Sequence, residues 1–424
     1  MKHPAKRALA FVTMLILALS VFSVMGSAQA PEIKNIIYLI GDGMGQNHLK
    51  AYKFYEGIDT LNMETIKTDG YYGTQNTRAF GEMLTDSAAG GTALATGVRT
   101  WINAVGVYPT DPFAVFSYPM NLRELAEAKG MKSGIVVTKS SDDATPATFS
   151  AHTYARGNSE VINKQQLESS IEVLMGANTG FIGKEDAAAH GFAYAATRSE
   201  MNAVTSGKLI GQFDGSQIKK GLGEGDAPSL VEMADKAINM LENPNGFFLM
   251  IEGSTIDSFS HSNEMDGMLD AFKGFEAAVE YALAYARGRN DTMVLITADH
   301  ETGGLTWDET KNEFYFTTGG HTTANVCYFA YLPEGVETPF GKNVDIKNID
   351  IPTYAAITMG WGDEFPQAIY TNIGEPLKPV LGFFDSIMNG ICQLFGMIPD
   401  PVMNIVMKPY LFVVDGIGEL VGMF

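Results

Sequence analysis

Residues 36–43 read Ile36-Ile37-Tyr38-Leu39-Ile40-Gly41-Asp42-Gly43, five apolar side chains in a row followed by a glycine, an acid and a second glycine. An unbroken apolar run of this length suits a strand covered on both faces, as in a mainly parallel sheet; a strand with one wet face alternates instead. Two later stretches repeat the pattern. Phe247 to Ile251 runs into Glu252, and Met293 to Thr297 runs into Ala298-Asp299-His300. From Glu32 to about Gly374 such runs alternate with amphipathic stretches, with no internal repeat and no low-complexity segment. The pattern predicts an α/β fold, a central mainly parallel sheet sandwiched by helices. In such sheets ligands sit beyond the carboxyl ends of the strands, so Asp42, Glu252, Asp299 and His300 are predicted to share one edge. Taken singly, each acid is explained as a solvated loop residue or a helix N-cap. Taken together they would repel one another unless cations neutralised them.

Composition narrows the chemistry. The chain has 424 residues, 29 basic against 49 acidic, a net charge of −20, and 46% hydrophobic residues. That is too apolar for a disordered chain and too acidic for non-specific nucleic-acid binding. Its two cysteines, Cys327 and Cys392, cannot build a disulfide framework or a four-cysteine zinc site. A metal here must be held by carboxylates and imidazoles. Cys327 lies in the apolar run Val326 to Tyr331 and is predicted to be a buried strand residue.

Residues 1–30 read as a secretory signal peptide: Lys2, Lys6 and Arg7 precede an apolar stretch from about Ala8 to Met25, and Ala28-Gln29-Ala30 supplies a small-x-small cleavage pattern. An uncleaved anchor helix is the alternative, since the stretch is near the minimum spanning length. Cleavage removes those three positive charges, leaves a charge of −23, and places the mature protein outside the cytoplasm, secreted, periplasmic or extracellular. The expected organisation is a signal at 1–30, one catalytic domain at 31–375 and a C-terminal tail at 376–424.

The histidines sharpen the edge cluster. Asp257 and His261 are four apart, so on a helix entered after the strand they share a face. His321 stands in Thr318-Gly319-Gly320-His321-Thr322, where paired glycines let the backbone approach closely. The segment Thr85-Asp86-Ser87-Ala88-Ala89-Gly90-Gly91 flows into a predicted helix. Ser87 there reads either as an N-cap or as a residue facing a bound oxyanion at a helix N-terminus. No Gly-x-Ser-x-Gly elbow surrounds it, which disfavours a Ser-His-Asp triad.

Six separated motifs, in order, resemble those of the alkaline phosphatases: Gly41-Asp42-Gly43-Met44-Gly45, Asp86-Ser87-Ala88-Ala89, Asp143-Ala144-Thr145-Pro146-Ala147, Glu252-Gly253 through Ile256-Asp257 to His261, Thr297-Ala298-Asp299-His300-Glu301-Thr302-Gly303-Gly304, and Gly320-His321-Thr322. The resemblance spans roughly residues 34 to 360. It implies an alkaline-phosphatase-like fold and a phosphomonoesterase that uses two zinc ions and one magnesium ion. By similarity, Asp257, His261 and His321 would hold one zinc and Asp42, Asp299 and His300 the second. Asp42 would also bridge to a magnesium site completed by Thr145 and Glu252. Ser87 would be the nucleophile, carrying a covalent phosphoserine. Arg156, thirteen residues after Asp143, would clamp two phosphate oxygens. Asp143 rather than a histidine beside Thr145 favours magnesium over a third zinc. Ser258 departs from relatives that carry a basic or aromatic side chain after the matching acid. His152 is read as structural.

The rival activities are a phosphodiesterase of the same superfamily and a non-catalytic metal- or phosphate-binding surface protein; Arg156 argues for a terminal phosphate, and no ligand is lost. A sulfatase is disfavoured because Asp86-Ser87-Ala88 lacks the motif that makes that family's modified nucleophile. After Pro376 the tail repeats apolar residues at helical spacing, such as Phe384, Ile387, Met388, Ile391 and Phe395, interrupted by charges too often for a membrane span. It is expected to form amphipathic helices docked on protein, with pairing of subunits as a homodimer or peripheral membrane contact as the other uses.

Overall fold

A computed structural model describes residues 31–111, 114 and 117–370; the expected signal segment and the tail lie outside the described residues. Ten strands form one sheet: β1 (Asn35–Gly41), β2 (Tyr71–Asn76), β3 (Lys132–Ser140), β4 (Val173–Ala177), β5 (Phe192–Ala195), β6 (Lys208–Phe213), β7 (Phe247–Gly253), β8 (Thr292–Thr297), β9 (Val326–Tyr331) and β10 (Lys342–Lys347). Their spatial order is β10-β2-β9-β8-β1-β7-β3-β4-β6-β5. Only β9 runs against its neighbours β8 and β2, and every other pairing in this sheet is parallel.

The three apolar runs of the sequence are three adjacent strands at the sheet's centre, β7, β1 and β8, buried along their whole lengths. Side chains alternate between two cores. Ile37, Leu39, Leu249, Ile251, Val294 and Ile296 face one, together with helices α1 (Gln46–Glu56), α4 (Leu230–Leu241) and α6 (Met265–Arg287). Ile36, Tyr38, Ile40, Phe248, Met250 and Leu295 face the other, with α2 (Ser87–Thr96), α3 (Leu122–Ala128) and α7 (Asp350–Thr358). A strand buried on both faces needs apolar residues at every position, which is why these runs are continuous. Each such side chain contributes about 1.5–3 kcal/mol of burial.

Parallel pairing sets the site. Ile40 stands level with Glu252 of β7 and with Thr297 of β8, so the chain leaves all three strands at one edge with Asp42, Glu252 and Asp299 side by side. Cys327 does sit in a strand, β9, but it is half-buried, not buried: most of β9 is covered, while the residue paired with Cys327 is Thr74 of the partly covered strand β2. Among the described residues no helix is long and apolar enough to cross a membrane.

Candidate functional site

Helix α5 (Thr255–His261) follows β7 after a one-residue connection, and its turn carries Asp257 and His261 on one face. Asp257 Oδ1 lies 3.2 Å from His261 Nε2 and 3.6 Å from His321 Nε2, and the two imidazole nitrogens are 3.1 Å apart. Beside this triangle, His300 Nε2 lies 3.5 Å from Asp42 Oδ1 and 3.3 Å from Asp299 Oδ2. The rings of His300 and His321 stack at 3.8 Å, so the two groups adjoin. An ion bound tetrahedrally through bonds of about 2.0–2.1 Å spaces its donor atoms roughly 3.3–3.4 Å apart. Both sets match that spacing.

The three histidines are oriented alike. His261 Nδ1 is held by the carbonyl of Gly319 at 2.6 Å and His321 Nδ1 by the carbonyl of Thr85 at 3.0 Å. A carbonyl only accepts, so each Nδ1 carries the proton and each Nε2 turns a lone pair to the site. His300 Nδ1 meets Thr302 Oγ1 at 3.1 Å, and that hydroxyl is 2.6 Å from Asp257 Oδ1. Asp299 Oδ1 accepts from the backbone N–H groups of Gly43 and His300. Gly43 makes this approach with φ +69°, and a Cβ there would stand 2.7 Å from Thr302 Oγ1.

A third group lies deeper. Glu252 is fully buried, and Thr145 Oγ1 is 3.4 Å from Asp299 Oδ2. Neither carboxylate oxygen of Asp42 or of Glu252 has a hydrogen-bond partner, although both side chains are buried. Burial, then the charges of Asp299, Asp257, Glu252 and Asp143, push the Asp42 carboxyl well above its ordinary range. Burial and the charges of Asp143 and Asp299 do the same to Glu252, and burial raises Asp299 to about 6. At Asp257 burial acts in the same direction, but His321, His300 and Thr302 outweigh it and hold the carboxyl below its ordinary value. Burial and the neighbouring His321 push the His300 imidazole well below its ordinary value. Orphaned buried carboxylates beside imidazole lone pairs are a donor set that fits divalent cations, which would remove the repulsion.

Ser87 opens α2, a helix whose residues are all buried. Its N-cap is Asp86, whose Oδ1 accepts from Ala89 N at 3.0 Å, leaving Ser87 Oγ 3.1 Å from His300 Nε2. The helix comes this close to β8 because Gly90 has no side chain: a Cβ would fall 2.7 Å from the carbonyl oxygen of Asp299. Arg156 spans the mouth, with Nη1 3.3 Å from Asp86 Oδ2 and Nη2 3.3 Å from Asp143 Oδ1. Asp143 Oδ2 is also 2.9 Å from Lys139 Nζ.

The structure thus brings together Asp42, Ser87, Thr145, Arg156, Glu252, Asp257, His261, Asp299, His300 and His321. Three residues here escaped the sequence: Lys139, Glu301 and Thr302. Thr302 and Glu301 stood inside a quoted motif, so position was legible and partner was not. Lys139, at the end of β3, gave no signal. His152 bonds Glu124 at 3.0 Å and stacks on Tyr118, away from the donor sets. His48, buried, accepts from Gly45 N at 3.1 Å and meets Ser260 Oγ at 3.0 Å, and burial lowers it to about 4.

A family model described as alkaline phosphatase matches residues 33–332. Alkaline phosphatase 4 of Bacillus subtilis (strain 168) is 34% identical over 304 residues, covering 65% of this chain and 63% of that protein, so this chain spans less than two thirds of that relative's length. The alkaline phosphatase of Escherichia coli (strain K12) is 31% identical over 335 residues, covering 63% of this chain and 70% of that protein. The solved alkaline phosphatase of the Antarctic bacterium TAB5 is 30% identical with a TM-score of 0.68, over 78% of this chain and 99% of that one. A histidine-to-aspartate variant of the TAB5 enzyme, 30% identical over the same shares with a TM-score of 0.67, has Mg bound in its third metal site. With its motifs gathered at one sheet edge and a match across residues 33–332, the chain belongs to the alkaline phosphatase family.

Proposed function

We propose that this protein is a secreted, metal-dependent phosphatase that hydrolyses phosphate monoesters through a covalent phosphoserine at Ser87. The observation that carries the reading is the position of Ser87 Oγ, at a buried helix N-terminus and 3.1 Å from a ligand-type nitrogen of His300. Asp257, His261 and His321 would hold one zinc, Asp42, Asp299 and His300 the second, and Asp42, Thr145 and Glu252 a magnesium. Bound there, divalent ions lower the pKa of a coordinated hydroxyl or water and stabilise attacking and leaving oxygens.

The chain's own groups do the rest. Free backbone N–H groups at the start of α2 and the helix dipole favour a bound oxyanion beside Ser87. Arg156, held between Asp86 and Asp143, presents a planar fork that suits two oxygens of a terminal phosphate, which favours a monoester over a diester. Asp143 as a neighbour of Thr145 favours magnesium in the third position, and the TAB5 variant in which aspartate replaces a histidine has Mg bound in its M3 site. The first 30 residues have the charge and apolar pattern of a cleaved signal.

The test is hydrolysis of a chromogenic monoester against its diester, with wild type and S87A, before and after chelation and zinc plus magnesium add-back. A monoester preference lost with the serine or the metals, and restored by add-back only in wild type, is the expected result. A diester preference would move the protein to the phosphodiesterase reading. No turnover at full metal loading would leave a binding protein.

A further inference from the structure

One buried hydroxyl touches both metal-type clusters. Thr302 is fully buried, and its Oγ1 lies 2.6 Å from Asp257 Oδ1 and 3.1 Å from His300 Nδ1. Asp257 belongs to the first cluster and His300 to the second. A threonine hydroxyl has one proton, and a carboxylate only accepts. The proton therefore goes to Asp257, and the oxygen must accept from His300 Nδ1–H. That direction fixes the tautomer of His300, leaving Nε2 bare toward Asp42, Asp299 and Ser87.

The backbone holds the hydroxyl in place. Thr302 N donates to the carbonyl of Gly43 at 3.0 Å, and Thr302 pairs with His321, itself a member of the first cluster. Across the same two-stranded ribbon Glu301 pairs with Thr322 and accepts a hydrogen bond from its hydroxyl, and it also accepts from Leu305 N at 3.1 Å. Residues paired in a ribbon alternate in direction, so Glu301 braces one face while Thr302 serves the other. The seam between the two clusters is thus held by backbone pairing and by the contacts of Glu301.

We propose that Thr302 is a positioning residue that couples the two metal sites: its hydroxyl links a ligand of one to a ligand of the other, so loading of each favours loading of its neighbour. This rests on the reading that both clusters hold divalent ions. Coupling of this kind is reciprocal, because the same hydrogen-bond chain orients both ligands.

The experiment titrates the metal-free full-length chain with zinc against a chromophoric chelator, in wild type, T302S, T302V and T302A. Wild type and T302S are expected to take up two equivalents over one narrow range of free zinc. T302V and T302A are expected to split the titration, with one equivalent weakened by about 10–100-fold, the usual cost of losing an outer-sphere partner of a ligand. Two hydroxyl-free variants are included so that one that fails to fold by circular dichroism leaves the other to read. Superposition of a folded hydroxyl-free variant on wild type would overturn the coupling while leaving the metal sites standing. A split in T302S as large as in T302V would overturn it in favour of methyl packing. A wild type that takes up no zinc would overturn this inference and the metal-dependent reading together.

Discussion

Ser87 Oγ and His300 Nε2 are 3.1 Å apart, from residues 213 positions distant in the chain. The same nitrogen faces Asp42 and Asp299, and its ring is oriented by a threonine instead of by a carboxylate. In a serine hydrolase triad an acid would occupy that place. Here the serine adjoins a ligand set. It follows that replacing His300 with glutamine should cost metal content as well as rate, measured by elemental analysis of the purified variant. A variant with full metal and lost rate would point to a general base instead.

Arg156 gives a second prediction. Two charge-assisted hydrogen bonds to a substrate are worth about 1.5–3 kcal/mol each. R156A is therefore expected to raise KM for a monoester by about 100-fold or more, and R156K to rescue little, since lysine lacks the planar fork. Steady-state kinetics across phosphate monoesters check it. An unchanged KM in R156A would remove the arginine from substrate binding.

Gly90 gives a prediction whose sign is decided by magnitude. In an exposed helix, glycine to alanine stabilises by about 1 kcal/mol. At Gly90 the new Cβ would stand 2.7 Å from the Asp299 backbone oxygen, and overpacking a buried site costs about 1–3 kcal/mol. G90A should therefore lower Tm and also lower kcat, because it moves Ser87 away from His300. A higher Tm would show that the helix yields freely.

Glu276, on α6, accepts hydrogen bonds from the backbone N–H groups of Asn62 and Met63, with its other oxygen unpartnered. Burial raises its carboxyl to about 8. A folded pKa above the unfolded one means the group's contribution is full below about 4.5 and is lost as pH rises through 8. Within that window each pH unit costs about 1.4 kcal/mol. E276Q, which keeps an acceptor and never ionises, should hold its Tm between about pH 5 and 8 while wild type falls. Parallel melting curves of the two proteins over that window would contradict this.

The centre of the fold was legible because β7, β1 and β8 are covered on both faces and so write continuous apolar runs. The polar edge strand β10, Lys342–Lys347, left no such trace, since exposed strands carry no burial signal. The reversed direction of β9 was equally hidden: its apolar run Val326–Tyr331 marks a strand but not the way it points. The candidate ligands were legible as acids and histidines at strand ends and beside glycines. Thr302 was not, because a buried hydroxyl declares itself only through partners 45 and 2 residues away. Lys139 was hidden for a related reason, an ammonium at a strand's end whose partner Asp143 becomes evident only in three dimensions.

Ser87 is proposed as the residue that carries phosphate. The direct measurement is mass spectrometry of the protein after rapid acid quench during monoester turnover, with the peptide containing Ser87 sequenced. One added phosphoryl group on Ser87 is expected in wild type and none in S87A, whose turnover should fall by about 10³-fold or more. Undiminished turnover by S87A, or phosphate found on another residue, would contradict it.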